Sequence, residues 1–134
     1  MHAKSTANRV GAAFIPAISS GFNDRAVRGG HGGRGRSFID VPNSKKGDVF
    51  RSMIKDVALP LLDQSADRIM MVTSFNEWCE DTQIEATTGT TRATTRDDSP
   101  SGQHYTQGVE YSDYGTLYLD ILKNCTELAN QPSD

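Results

Sequence analysis

The chain has 134 residues, 36% of them hydrophobic, with a formal charge of -3 at neutral pH. That length suits one small domain with its own core, but the low apolar share and a mean hydropathy of -0.53 require much of it to be loop. The acidic balance argues against nucleic acid or an anionic membrane as the main partner, no apolar run is long enough to span a bilayer, and no secretory apolar segment opens the chain.

Residues 12–19 read as a short buried strand, weakened inside by Pro16. Residues 20–25 turn out of it, and the Gly/Arg-rich stretch 28–36, with five glycines, is a loop. Asp48 is placed to cap a helix whose apolar stripe is Val49, Phe50, Met53, Ile54, Val57, Ala58, Leu61 and Leu62. Pro60 lacks the amide that would bond the carbonyl of Asp56, so this helix should kink or end near Leu59. The apolar run Ile69, Met70, Met71, Val72 then reads as an internal strand. A polar cluster follows it directly, and residues 86–108, rich in Thr, Ser, Asp and Gly, form a long loop insertion of the kind that serves as a lid or binding loop. Ser112 or Asp113 starts a last helix with the stripe Tyr114, Leu117, Tyr118, Ile121, Leu122, Cys125, Leu128 and Ala129, and the tail from Asn130 frays.

Strand, loop, helix, strand, loop, helix amounts to two βα units in series, which implies an α/β fold with a parallel strand pair and a right-handed crossover. Two strands and two helices cannot cover both faces of such a sheet or protect its edges, so the chain reads as part of a larger α/β domain.

The residues that carry chemistry fall where the second strand ends. Parallel α/β sheets aim their loops into a ligand crevice at that end. Glu77 and Glu80 lie three apart, the pairing that glycoside hydrolysis needs if the two carboxyls differ in protonation. Trp78 offers a flat apolar face to a sugar ring, and Asn76 is suited to hydrogen-bonding a hydroxyl or orienting Glu77. The plainer alternative is a turn with solvated acids and Trp78 as a core plug. Cys79 and Cys125 make neither a disulfide framework nor a zinc site and read as free thiols. His31 and His104 stand alone in polar loops without metal-ligand spacing. The Arg/Gly tract around Arg34 and Arg36 is too short, and too poor in interleaved aromatics, for a nucleic-acid tract. Glu85 is placed either to touch substrate or to brace the loop; Tyr105 and Tyr111 suit a sugar platform, and Tyr114 and Tyr118 the core.

Residues 74–85, Ser-Phe-Asn-Glu-Trp-Cys-Glu-Asp-Thr-Gln-Ile-Glu, resemble the S-F-N-E-W-x-E-x-T-Q-I-E signature of glycoside hydrolase family 99, the endo-α-mannosidases and endo-α-1,2-mannanases. Residues 19–28 resemble that family's S-P-G-[FY]-x-D-x-x-x-R segment, and residues 111–122 its terminal Tyr-Leu helix. A looser N-E-W-x-E occurs in related polysaccharide-cluster proteins. The resemblance implies the C-terminal βαβα portion of a (β/α)₈ barrel, its last two βα units, with residues 1–134 as a partial catalytic domain and the N-terminal part of the barrel missing. That fold normally takes about 250 residues. Carried over, it makes Glu77 and Glu80 the catalytic pair, with Glu80 as acid on the leaving oxygen and Glu77 as base on the 2-hydroxyl. Internal α-mannosidic bonds of a mannose-containing glycan would then be cleaved through a 1,2-anhydro sugar with retention, without metal or redox cofactor. Asn76, Trp78, Asp24 and Arg28 become substrate-binding positions, although an Asp24–Arg28 pair that merely organises its loop is the alternative. The chain departs from the family pattern at Ser20, Cys79, Asp81 and Ala86, which stand for proline, histidine, glycine and proline, and it keeps both acids. Two other readings remain open: a non-catalytic, truncated or glycan-binding fragment, and a glycosyltransferase-like polysaccharide protein sharing the Asn-Glu-Trp core.

Overall fold

A computed structural model of the chain describes residues 2–22, 24, 28, 35–36, 38, 40–87 and 114–129. The parallel pair is present: β1 (Ala17–Ser19) runs beside β2 (Met71–Thr73), with Ala17 opposite Met71, Ile18 opposite Val72 and Ser19 opposite Thr73. Both strands are shorter than their apolar runs. Pro16 has no amide for the ladder, so β1 begins only after it, while the Pro16 carbonyl accepts from the amide of Met71 at 2.9 Å. The amide of Phe14, one turn earlier, goes instead to the carboxylate of Asp63 at 3.2 Å.

A helix that the sequence pattern does not announce, α1 (His2–Arg9), lies ahead of β1 and buries none of its residues. Without an apolar stripe it leaves no periodic signal. One tie to the rest of the fold is Lys4 Nζ, which donates to the Leu62 carbonyl at 3.0 Å.

The long connecting helix is built in three pieces: α2 (Asp48–Ser52), a π-helical stretch (Met53–Ala58) and α3 (Leu59–Leu61). Its N-cap is Gly47 at φ +91°, and Asp48 is the first helical residue. The Asp48 carboxylate does not cap the helix; it closes the turn before it, accepting from the Lys45 amide at 2.7 Å and the Ser44 hydroxyl at 3.2 Å. Gly47 also marks a close approach, since a Cβ there would stand 2.5 Å from Ile121 Cδ1. The helix ends at Leu61, one residue past Pro60 and close to where the proline places its end. The amide of Leu59 reaches five residues back to the Ile54 carbonyl, and this wider turn carries the chain past the proline ring to Leu61. The same widening changes the buried face: Phe50, Ile54 and Ala58, four apart, are fully buried, whereas Val57 is rotated out and exposed.

The last helix, α4 (Leu117–Ala129), starts later than the stripe suggests, because Tyr114 and Gly115 form the turn ahead of it, where Thr87 Oγ1 accepts from both their amides. Ser112, Asp113, Asn130, His31, Arg34, His104, Tyr105, Tyr111 and nearly all of the 86–108 insertion lie outside the described residues. The core joins Ile18 of β1, Phe50, Ile54 and Ala58, Ile84, and Tyr118, Ile121 and Cys125 of α4, so Cys125 is a buried free thiol. Phe50 meets the Tyr118 ring edge-on at 5.9 Å.

The second strand is not the buried internal strand its apolar run implies. Met71 is 57% exposed and Ile69 is exposed too, because only Ile18 and Val72 face the helices while the alternate positions point away from the core. Among the described residues nothing covers that second face.

Candidate active site

The segment after β2 folds back on itself into a closed loop. Ser74 opens it, its amide donating to the Thr82 carbonyl at 3.1 Å, its hydroxyl 2.8 Å from Thr82 Oγ1 and accepting from the Glu77 amide at 2.9 Å. The Phe75 carbonyl receives the amides of both Ile84 and Glu85, at 3.0 and 2.9 Å. Inside, the Asp81 amide reaches the Trp78 carbonyl at 3.2 Å and the Thr82 amide reaches that of Glu77 at 3.2 Å. From the end of β1, buried Ser20 donates its hydroxyl to the Thr82 carbonyl at 3.0 Å. The two strand ends are thereby stitched together, which brings the segment around Asp24 beside the segment around Glu80.

Glu77 is exposed, and its Oε1 accepts from the Cys79 amide at 3.0 Å. Asn76 is exposed as well and makes no hydrogen bond to Glu77, so the orientation of that carboxylate comes from the backbone. Glu80 lies 3.7 Å from Arg28 Nη1, and the same nitrogen is 2.7 Å from Asp24 Oδ2. The Asp24 side chain is fully buried and that of Arg28 is 57% exposed, so a buried carboxylate presents a cation beside an acid at the surface. The hydrogen bond and then the charge of Asp24 raise the pKa of Arg28 above its ordinary value, with a smaller contribution from Glu80. The loop-organising pair considered from sequence is therefore formed, and it sits against one of the two acids.

Trp78 is half-buried and is not a core plug; its Nε1 donates to Glu85 Oε2 at 3.1 Å. Glu85 braces the loop further, its carbonyl accepting the Tyr114 hydroxyl at 2.8 Å. Cys79 is an exposed thiol. Asp81 stands at φ +51°, the left-handed region that glycine enters freely and aspartate tolerates.

One residue at the base of the loop escapes sequence reasoning. Arg36, from the Gly/Arg stretch, hydrogen-bonds Asp81 and the Gln83 carbonyl and lies over the rings of Tyr118 and Tyr114, 4.5 and 5.4 Å from their centroids. Burial works most strongly against its charge, but Asp81 and Tyr118 outweigh it and the pKa ends raised. Burial raises both tyrosines, with Arg36 opposing. The hydroxyl of Tyr118 and Oε1 of Gln83 are buried without a hydrogen-bond partner among the described residues. Two tyrosines four apart on a helix stripe, able to flank a cation, are the only signal of this cluster in the sequence.

Among the described residues no group of three or more His, Cys, Asp or Glu is arranged to hold a metal, and no helix is long and apolar enough to cross a membrane.

No protein-family model matches the chain, and no curated protein matches it. Its fold is similar to solved structures of a GH99 endo-alpha-mannosidase from Bacteroides thetaiotaomicron. With the complex containing bis-tris-propane it shares a TM-score of 0.60 and 24% identity over 94% of this chain and 33% of that one. With a second structure of that protein the TM-score is 0.58 at 23% identity, over 98% of this chain and 33% of the other. The chain thus spans about a third of the length of these structures. At that identity the likeness is one of fold.

Proposed function

We propose that residues 74–85 are the acid-bearing loop of a retaining glycosidase acting on internal α-mannosidic bonds, carried on the last two βα units of a (β/α)₈ barrel. The observation that carries this reading is the placement of Glu77 and Glu80 on one closed loop at the C-terminal end of β2, with the Asp24–Arg28 pair of the preceding strand's loop 3.7 Å from Glu80. Glu77 takes the proton of the substrate 2-hydroxyl, O2 attacks C1 from the face opposite the leaving group, and Glu80 gives its proton to the departing oxygen as the C1–O bond breaks. Water then adds to C1 of the 1,2-anhydro sugar, its proton returning to Glu80 and that held by Glu77 to O2, with net retention. Trp78, its indole fixed by Glu85, supplies the ring platform, while Asn76 and Arg28 offer donors to sugar hydroxyls.

The test is hydrolysis of an α-mannan oligosaccharide by the chain, with product anomers read by NMR. Glu77→Gln and Glu80→Gln should each lower turnover by about two to four orders of magnitude. A wild-type rate in either, or a β-anomer as first product, would sink the assignment. The bare face of the sheet around Met71, together with the one-third span of the similar structures, favours a second reading, a glycan-binding piece without turnover. Binding that is lost in Trp78→Ala while no hydrolysis occurs would select it.

A further inference from the structure

We propose that Arg36 is the positioning residue of the acid-bearing loop: it locks the turn that carries Glu77, Trp78 and Glu80 to the helical framework. This rests on reading residues 74–85 as that loop, but the geometry stands independently of the substrate. All three guanidinium nitrogens are engaged on one short stretch. Nε and Nη2 lie 3.2 and 3.1 Å from Asp81 Oδ1, Nη2 is 3.0 Å from the Asp81 carbonyl, and Nη1 is 2.9 Å from the Gln83 carbonyl.

The anchors on the other side are packed or hydrogen-bonded in their turn. Tyr118, under the guanidinium at 4.5 Å, is fully buried against Phe50, and Tyr114 is held through its hydroxyl to Glu85. The Arg36 carbonyl accepts the Gly47 amide at 3.0 Å, which fixes the backbone of Arg36 to the start of α2. From Asp81 the restraint passes by one hydrogen bond to the Trp78 carbonyl, and from Thr82 by another to that of Glu77. With a side chain only 9% exposed and its nitrogens occupied, Arg36 is not itself a sugar contact. Lysine cannot substitute, because a point ammonium cannot reproduce the fork on Asp81 and Gln83 while it lies over both tyrosine rings.

Trp78 is the only tryptophan of the chain, so its fluorescence reports on this loop alone and needs no turnover. In the full 134-residue protein, Arg36→Lys and Asp81→Gly should each raise the acrylamide quenching constant of Trp78 about twofold, as the loop opens locally, while the helical circular dichroism stays at its wild-type value. Asp81→Gly keeps the positive φ accessible and leaves Arg36 on its tyrosines and on the two carbonyls, while it removes the carboxylate that Nε, Nη2 and the Gln83 amide share. Arg51→Ala on α2 is the control and should leave quenching unchanged. Wild-type quenching in both Arg36→Lys and Asp81→Gly would overturn the proposal. So would loss of the helical signal in both, since Arg36 would then be holding the whole fold and not the loop. Absence of glycoside hydrolysis with these fluorescence changes intact would refute the glycosidase reading and leave the positioning role standing.

Discussion

At the scale of single residues, the buried polar groups separate shape from hydrogen bonding. Tyr118 is fully buried, meets the rings of Phe50 and Tyr114 edge-on and lies under the Arg36 cation, yet its hydroxyl makes no hydrogen bond of good geometry among the described residues. Its worth is therefore in the ring. Tyr118→Phe should change the unfolding free energy by no more than about 1 kcal/mol, since the hydroxyl faces Arg36 without a hydrogen bond of good geometry. Tyr118→Ala should cost about 3–5 kcal/mol, the range for deleting a buried aromatic ring. Urea titration of both variants checks this, and a large loss in Tyr118→Phe would mean the hydroxyl is bonded after all. Residue identity also made the acid-bearing loop conspicuous in the sequence, because two glutamates, a tryptophan and an asparagine at a strand end are unusual company. Arg36 was invisible there. Its importance comes from Asp81, Gln83, Tyr114 and Tyr118, all far from it in sequence, and nothing in a Gly/Arg stretch distinguishes a buried arginine over aromatic rings from a solvated one.

At the scale of elements, carboxylates organise the turns that lead into helix and strand. Asp48 closes the turn before α2, and Asp63 receives the Ser65 hydroxyl, the Ser65 amide and the Phe14 amide, linking the approach to β1 with the short 3₁₀ turn Gln64–Ala66. Both carboxyls are held below their ordinary pKa, Asp48 mainly by the Lys45 amide and Asp63 mainly by the Ser65 hydroxyl. A depressed folded-state pKa means that the unfolded chain binds more protons in that range. The stabilisation is thus complete above the unfolded carboxyl value of about 4 and is lost as pH falls through the lower folded values. Thermal melts between neutral pH and pH 2 should show this acid limb, flattened in Asp48→Asn/Asp63→Asn; an unchanged limb in the double variant would assign it to other groups. Helix α4 was readable from its stripe but its start was not, since Tyr114 continues the periodicity while Thr87, far off in sequence, takes the amides of the turn. The π-helical widening was illegible in its form: Pro60 signals a kink or an end near Leu59, and which turn geometry carries the chain to its end at Leu61 depends on the core packed against it.

At the scale of the whole molecule, the parallel pair divides the chain into a packed side and an open one. Ile18 and Val72 face the helices, whereas Met71 and its neighbours on the alternate face do not. Ile18→Ala should therefore cost about 2–5 kcal/mol, as a buried aliphatic truncation does. Met71→Ser should cost less than about 0.5 kcal/mol, as an exposed change does. Comparable losses at both positions, read from denaturant midpoints, would show that the second face is packed in solution, for instance against another copy.

Period and punctuation in the sequence determined the βα order, the parallel pairing, the main helix faces and the position of the acidic cluster, because each depends on residues within a few positions of one another. Only the tertiary structure decided which strand face is buried, that a widened turn carries the helix one residue past Pro60, that Arg28, paired with Asp24, meets Glu80, and that Arg36 reaches Asp81 and Gln83. Those outcomes depend on contacts between segments tens of residues apart, where local pattern carries no information about which partner arrives.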